Sequence, residues 1–411
     1  MLPSKRTKPR SIAGETTDLV RLRRWALERF RVRGKRDVVA DESWLADIPE
    51  DTWRMFFILE RCASPLLASV MSTDGTLKIP AGVLGFLREE AARDTGSVLR
   101  AERDGRWIAT AARSVGAKPI ALKGLLPALA GTIPPLHLFD VDILTSAEDA
   151  SLLAPKLESA GFTAATDNEL HHVYWAPPPG HLPIEIHETI FADGSPIPDD
   201  MLSRVTEIAG VPGMYRLAYA DQMLHVLRHA LVQHKERHIR IRDLLLMSWL
   251  MGQMSEDDRR ELDCQLDKLA DAASFRRLLK FAATLGEERT DSESPVADPF
   301  EDDAILIFAA TLLERNSALW KGGPPLAWHG AASVAAGRTS VAALTRFAGR
   351  NPVTGIETFA VLQRKTPGAG RVVTRFGRAL LYFTSATFCS PLLLTMRRDV
   401  KRRLTVPSSS R

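Results

Sequence analysis

Two aspartates separated by one residue lie in the apolar stretch LFDVDILT, residues 138–145. Because side chains along a strand alternate between its faces, Asp140 and Asp142 point the same way, and Val141 and Ile143 point the other way. Two adjacent carboxylates repel each other and are costly to hold near a core unless a cation or another partner compensates them. The spacing therefore predicts a compensating partner at this strand.

A third acid stands in the later apolar stretch LPIEIHETI, residues 182–190. The same two-residue period places Glu185 and His187 on one face of a second strand. If the two strands are neighbours in one sheet, Glu185 joins Asp140 and Asp142 in an oxygen-rich cluster of the kind that suits Mg²⁺ or Mn²⁺. Such ions share their coordination with substrate phosphates and offset the repulsion between the carboxylates.

A turn that suits phosphate comes earlier in the chain. The segment PIALKG, residues 119–124, is apolar and runs into glycine, which is typical of a buried strand that turns into a helix. Glycine lets the backbone approach a ligand, and a lysine at a helix N-terminus favours phosphate. Lys123 and Gly124 are therefore the predicted nucleotide-binding residues, although a solvated lysine at a helix start explains Lys123 equally well. A phosphate-facing turn, an acid pair and a third acid, in that order, are the layout expected for nucleotidyl transfer.

The surrounding pattern predicts which elements carry these residues. Helical spacing of apolar residues precedes position 117, and after it short apolar segments alternate with helices such as the one opened by Ser146 and closed by Gly161. We predict the α+β or α/β class, with a small mixed sheet and flanking helices embedded in mostly helical N- and C-terminal regions. The predicted helices before the sheet cover 17–35, 51–71 and 80–116, and the later strands cover 171–177 and 182–190.

The composition and charge pattern divide the chain further. In chain order, the predicted segments are a disordered basic tail (1–18), a helical N-terminal region (19–116), an α/β core (117–210), a helical region that packs on the core (211–287), an acidic linker or loop (288–303), a basic helical C-terminal region (304–400) and a disordered tail (401–411).

Composition describes an ordinary soluble protein of 411 residues, with 45% hydrophobic and 25% charged residues. Three scattered cysteines and no CxxC pair argue against a disulfide framework and against a thiolate zinc site, and favour a reducing, cytoplasmic setting. The histidine pair His225 and His229 lies on one helical face, but HKERH at 234–238 has lysine where a zinc protease motif needs glutamate. We interpret these histidines, and His187, as structural.

The C-terminal region carries a charge asymmetry, with sixteen basic and two acidic residues from Arg315 to Arg411. Within it, the apolar segment 379–396 is flanked by arginines and diluted by polar residues. We interpret this segment as a buried or interface helix, while contact with a membrane surface and a true span stay open as alternatives.

The motifs ALKG, DVDIL, KLESAGF, PIEIHETI, DQMLHVLRHAL and RIRDLLLM together resemble the uncharacterised nucleotidyltransferase-like family of bacteria, over about residues 80–260. This family belongs to the DNA polymerase β-type nucleotidyltransferase superfamily. The resemblance implies a nucleotidyltransferase-type fold in which Asp140 and Asp142 are the metal-binding pair and Glu185 is the third acid. Lys123 and Gly124 occupy the place of the superfamily's glycine-serine turn.

Two positions depart from the pattern of that superfamily. Leu125 follows the glycine where serine is usual, which removes a phosphate contact, and Leu136 stands where the family tends to place an arginine, four residues before the first aspartate. The predicted function is transfer of a nucleoside monophosphate from an NTP to an unknown acceptor such as a protein, a small molecule or a sugar. No RNA-stacking motif is visible, so nucleic acid is not the expected partner.

Two alternatives to an active enzyme follow from these departures and from the basic C-terminal region. In the first, the chain is a catalytically inactive binding or scaffold protein with the same fold. In the second, it is a membrane-peripheral partner in polysaccharide or natural-product assembly.

Overall fold

The computed structural model describes residues 12–31, 42–72, 79–131, 136–164, 172–189, 199–230, 239–269 and 272–285, together with residues 298, 301, 304 and 308. In chain order the helices are α1 (Ile12–Arg31), the 3₁₀ helix η1 (Ser43–Asp47), α2 (Glu50–Glu60), α3 (Ala63–Met71), α4 (Ala81–Val115), α5 (Leu125–Ala130), α6 (Ala147–Ser159), α7 (Asp199–Ser203), α8 (Tyr219–Arg228), α9 (Ile241–Gln253), α10 (Glu256–Asp267) and α11 (Ala272–Ala283).

One sheet carries the strands of the described residues. They are β1 (Ile120–Ala121), β2 (Val141–Leu144), β3 (Thr163–Ala164), β4 (His172–Ala176), β5 (Ile184–His187), β6 (Thr206–Glu207) and β7 (Tyr215–Arg216). Their order across the sheet is β3-β4-β5-β2-β1-β7-β6. The pairs β2–β5 and β1–β7 are parallel and the other pairs are antiparallel, so the sheet is mixed. The predicted mixed sheet with flanking helices is confirmed.

The central strand β2 is buried on both faces. Val141 and Ile143 face the helical layer, where Ile143 lies beside Trp107 and Ile108 of α4 and Leu153 of α6. On the other face, Leu144 packs in a cluster completed by Ile120, Leu122, Met201 and Leu217. A strand covered on both faces reads as a nearly continuous apolar run, which explains LFDVDILT and makes its two aspartates conspicuous.

Local signals set several element ends where the sequence predicts them. The Ser146 side chain accepts a hydrogen bond from the Asp149 backbone N–H and begins α6. Gly116 ends α4 in the left-handed region at a φ of 78°. The two-residue strands β3, β6 and β7 were not predicted, because two residues do not establish a period.

The predicted helix 51–71 is wrong as a single element, since the structure divides it into α2 and α3. Arg61 ends α2 in the left-handed conformation, with a φ of 51° and a ψ of 44°, and donates its backbone N–H to Phe57 O. This conformation is costly for a residue with a Cβ, so neighbouring contacts must hold it there.

Two compact units make up the chain, one of residues 23–299 and the other of residues 1–22 with 300–411. The sheet and α2–α11 lie in the unit of residues 23–299. The finer predicted division into seven segments stays a prediction. Most of its tails, linker and basic C-terminal region, including the apolar segment 379–396, lie outside the described residues. Among the helices that are described, none has an apolar stretch long enough to cross a membrane.

A buried ion pair ties together distant parts of the unit of residues 23–299. Arg23 and Glu60 are fully buried, and the Arg23 guanidinium donates from Nη1 to both Glu60 carboxylate oxygens at 2.7 and 2.8 Å. Its Nε donates to Asp298 and its Nη2 to the Ile239 carbonyl, while Glu60 also accepts the backbone N–H of Ile241. The start of α9 is thereby held against α1 and α2.

Removing the Glu60 charge leaves the buried Arg23 guanidinium with one of its two carboxylate partners, Asp298, and with fewer hydrogen bonds. We expect Glu60→Gln to lower the free energy of unfolding by about 3 kcal/mol, measured by urea denaturation. The matched control is Glu102→Gln, which breaks an exposed pair with Arg106 one turn away on α4 and costs less than about 1 kcal/mol. Equal losses in the two variants would contradict the central role of the buried pair.

Candidate metal centre

The two acidic segments predicted to meet are neighbours in the sheet. Strands β2 and β5 run parallel, with Asp142 directly beside Glu185 and Leu144 beside His187. The backbone bonds Val141 N–H to Pro183 O and Thr145 N–H to His187 O flank this pairing at both ends. Because neighbouring strands lie about 4.8 Å apart, the side chains of Asp142, Glu185 and His187 emerge together on one face.

Asp142 is the centre of this group and is buried, with 5% of its surface exposed. Its Oδ1 accepts a hydrogen bond from Lys123 Nζ at 2.9 Å and another from His187 Nε2 at 2.9 Å. Burial by itself raises the pKa of Asp142, but the Lys123 ammonium and the His187 hydrogen bond outweigh burial and hold the pKa of that carboxyl well below its usual value. Asp142 is therefore a carboxylate at neutral pH.

The pairing of β1 with β2 brings Lys123 to this carboxylate. These strands are antiparallel, and their ladder continues through the Leu122 N–H, which donates to Asp142 O at 3.1 Å. Lys123 follows immediately, in the left-handed region at a φ of 45°, within a turn closed by the Leu125 N–H and Leu122 O. A non-glycine residue rarely adopts this backbone conformation, and here it accompanies the contact between the lysine and Asp142.

Gly124 lies against Leu138 in the same turn. A Cβ at this position would lie 2.2 Å from Leu138 Cδ2, so a larger residue there would displace the end of the Leu138 side chain. Leu125 and Leu136, the two positions that depart from the superfamily pattern, are both buried. Leu125 packs towards α4, where its Cδ1 approaches Gly105.

Asp140 lies just before β2 and is partly buried. Burial and the neighbouring negative charge of Asp142 raise the pKa of Asp140 to about 6, against the opposing influence of Lys123 and Arg242. Without a cation, therefore, the pair relieves its repulsion by keeping a proton on Asp140 up to a pH of about 6.

His187 is fully enclosed, with 1% of its surface exposed. Burial lowers the pKa of His187, while its hydrogen bond to Asp142 acts in the opposite direction. Because Asp142 is a carboxylate, His187 Nε2 is the donor in that bond. The same nitrogen lies 3.7 Å from Glu185 Oε2. The imidazole therefore belongs to the polar group of the site and is more than core filling.

The donor atoms fit a divalent cation. One potential ligand atom from each of Asp142, Glu185 and His187 lies within 4.8 Å of the other two. Two carboxylates and an imidazole are hard to intermediate donors that bind Mn²⁺ and similar ions, and carboxylates alone bind Mg²⁺. Lys123 Nζ and His187 Nε2 both donate to Asp142 Oδ1, so the Asp142 carboxylate attracts positively charged groups.

The predicted ligand set and the observed cluster overlap in Asp142 and Glu185. Asp140 interacts electrostatically with Asp142 of the cluster. Its predicted role as a ligand stays a prediction. His187 was predicted to be structural, although the two-residue period that placed it on the face of Glu185 was the signal that could have identified it. The sequence left Arg242 open between an ion pair of the helices and a contact with a triphosphate. Arg242 donates to the His137 carbonyl at 2.8 Å and lies near enough to Asp140 to lower its pKa.

Comparison with known proteins identifies one family. The family model described as an uncharacterised nucleotidyltransferase matches residues 60–288, which include the whole sheet and helices α3 to α11. No curated protein sequence and no solved structure matches this chain.

The raised pKa of Asp140 makes a prediction about stability. An Asp protonates with a pKa of about 3.9 when unfolded, and here the folded value is about 6, so the metal-free protein loses stability as pH rises from about 4 to 6. We expect Asp140→Asn to abolish this loss. In EDTA, the free energy of unfolding of the variant should equal that of the wild type near pH 4 and should be roughly 2–3 kcal/mol higher at pH 8.

Urea denaturation at the two pH values measures this difference. The control is Asp257→Asn on α10, which removes a carboxylate that is 86% exposed and far less affected by burial. If the free energies of unfolding of Asp140→Asn and the wild type differ by the same amount at both pH values, the pKa of Asp140 is not raised in the folded protein.

Proposed function

This chain belongs to the family of uncharacterised nucleotidyltransferases, and we propose that it transfers a nucleoside monophosphate from an NTP to an acceptor in a reaction that depends on a divalent cation. The observation that carries the proposal is the meeting of Asp142, Glu185 and His187 on the central strands of the sheet. Buried ionised groups are expensive, and their assembly at one point is typical of a functional site.

The proposed ligands of the cation are Asp142, Glu185 and His187, with Asp140 as the further carboxylate predicted from the sequence. For His187 this requires the tautomer that carries its proton on Nδ1, so that Nε2 gives up its hydrogen bond to Asp142 and faces the cation. When bound, the cation neutralises charge on the transferring phosphate and offsets repulsion among the carboxylates. Asp140 and Asp142 together with Glu185 are the proposed catalytic residues. Their part is to supply negative charge that positions a cation where β2 and β5 lie side by side.

Lys123 and Gly124 are the proposed nucleotide-binding residues. The Lys123 ammonium is 15% exposed and faces Asp142 at 2.9 Å. An ammonium so placed can hold a phosphate oxygen beside the same carboxylate, as lysines near phosphates commonly do. Gly124 allows the turn that carries Lys123 to lie against Leu138, close to Asp140.

The acceptor is proposed only as a class, namely a hydroxyl of a protein, a small molecule or a sugar. The cytoplasmic setting rests on cysteine usage, and contact of the basic segment 315–411 with a membrane surface rests on charge alone.

A second candidate function is nucleotide binding without catalysis. It is favoured by Leu125 and Leu136, since both are buried hydrophobic side chains at positions where the superfamily has groups that contact phosphate or support catalysis. An inactive member of this kind serves as a binding or scaffold protein.

The proposed cation site predicts cation-dependent NTP binding. With MnCl₂ or MgCl₂ present, calorimetry should detect NTP binding to the wild type, and the double variant Asp140→Asn/Asp142→Asn should bind about 100-fold more weakly or not at all. Asp257→Asn is the matched control and should bind as the wild type does. Equal binding by the wild type and the double variant would rule out the proposed site.

Catalysis is tested separately from binding. Each of the four NTPs is incubated with the full chain and candidate acceptors, and both pyrophosphate release and the mass of each acceptor are measured. An active enzyme gives pyrophosphate together with an acceptor heavier by one nucleotidyl group. Tight binding with neither product would select the inactive scaffold.

The imidazole in the cluster predicts a preference between cations. A nitrogen ligand favours Mn²⁺ over Mg²⁺, so we expect the wild type to bind Mn²⁺ at least about tenfold more tightly. The substitution His187→Asn should weaken Mn²⁺ binding and reduce the preference for Mn²⁺ over Mg²⁺. The electron paramagnetic resonance signal of free Mn²⁺ measures the binding. A preference unchanged by the substitution would remove His187 from the proposed ligand set.

A further inference from the structure

An aromatic side chain lies exposed immediately beside the candidate metal centre. Phe139 directly precedes Asp140 and has 46% of its surface exposed. Three residues of chain span at most about 11 Å, so Phe139 lies within that distance of Asp142 along the backbone. A single exposed apolar side chain is common on protein surfaces, so the case for a function of Phe139 depends on its neighbours.

A cation covers this ring. The Arg61 guanidinium carbon lies 4.1 Å from the centre of the Phe139 ring. Arg61 reaches it from the end of α2, at the one position where that helix leaves the right-handed region. The strained backbone of Arg61 is therefore associated with the placement of its side chain over Phe139, as is common where strain serves a functional site.

The other neighbours of Phe139 hold it in a fixed position. The His137 ring centre lies 4.3 Å from that of Phe139, and His137 Nδ1 is 2.9 Å from Asp94 Oδ1 on α4. The Leu138 N–H donates to Ser97 Oγ, and the His137 carbonyl accepts from Arg242. The segment is thus attached to α4 on one side and to α9 on the other.

We propose that Phe139, with Arg61 and His137, forms a platform on which the base of the bound nucleotide stacks. The proposal rests on the proposed function, because it places the phosphates of the same nucleotide at Lys123 and the acidic cluster. One sugar and its phosphates are comparable in length to the short stretch of chain between Phe139 and Asp142.

The chemistry of the platform fits a nucleotide base. Aromatic rings and arginine guanidinium planes both stack on bases, and this contact tolerates any base because every base has a π face. Arg242 adds positive charge near Asp140 and Arg61 adds it over Phe139, which suits an anionic nucleotide better than an uncharged aromatic ligand. An exposed ring held rigid before binding also loses little conformational entropy when the base stacks.

The test compares a nucleotide with its phosphate part alone. Binding of each NTP and of inorganic tripolyphosphate to the full chain is measured by calorimetry in MnCl₂. The wild type should bind at least one NTP more tightly than tripolyphosphate. Phe139→Leu should weaken the binding of that NTP about 5- to 150-fold while leaving the affinity for tripolyphosphate unchanged. Phe139→Tyr should bind the NTP with the affinity of the wild type.

Two further variants separate stacking from a general effect on the fold. Leu152→Ala removes another exposed apolar side chain, on α6 and 40% exposed, and should leave both affinities unchanged. Arg61→Met removes the cation over the ring but keeps a side chain at the same backbone position, and should weaken NTP binding about 2- to 5-fold. Thermal unfolding of each variant confirms that the chain is folded at the temperature of the binding measurement.

Different results overturn different claims. If the wild type binds NTP and tripolyphosphate equally, or if Phe139→Leu binds NTP as the wild type does, the platform is wrong while the phosphate site stands. If the Phe139 ring instead contacts a protein partner, Phe139→Leu binds NTP as the wild type does. If neither ligand binds to the wild type in the presence of Mn²⁺, the proposed function fails and the platform fails with it.

Discussion

Asp142 is a buried carboxylate in the middle of a sheet, and the arrangement around it follows from the cost of keeping that charge away from water. Lys123 and His187 supply two hydrogen bonds to one of its oxygens, from the strands on either side of β2. A shift of either neighbouring strand by one residue would turn a partner to the opposite face and leave the carboxylate uncompensated. The registers of β1 and β5 with β2 and the charge on Asp142 therefore depend on each other.

The long helix α4 and the buried pair of Arg23 and Glu60 provide the rigid frame for this centre. Asp94 and Ser97 of α4 hold the segment before β2, and Arg242 at the start of α9 holds it from the other side. Glu60 in turn accepts the backbone N–H of Ile241, next to Arg242. A charge pair far along the chain from the acidic cluster thus helps to position the residues at its rim.

The candidate site illustrates which side chains a sequence reveals. Asp140, Asp142 and Glu185 were predicted because carboxylates in apolar strands contradict the local pattern, and such contradictions are common at functional sites. His187 gave no equal signal, since a histidine between apolar residues is equally consistent with a structural role. Gly124 was predicted for its closeness to a ligand, yet the close neighbour that the structure gives it is the Leu138 side chain.

The sequence by itself determined the class of the fold, the strands that carry Asp142 and Glu185 and the face that these strands give to each, because periodicity and capping are local properties of the chain. Only the tertiary structure decided that β5 pairs with β2 and that Lys123 donates to Asp142. It also decided that Arg61, which ends α2, places its guanidinium over the Phe139 ring. These contacts join residues far apart in the chain. Which partners meet is set by strand order, register and burial, and a local pattern contains none of these.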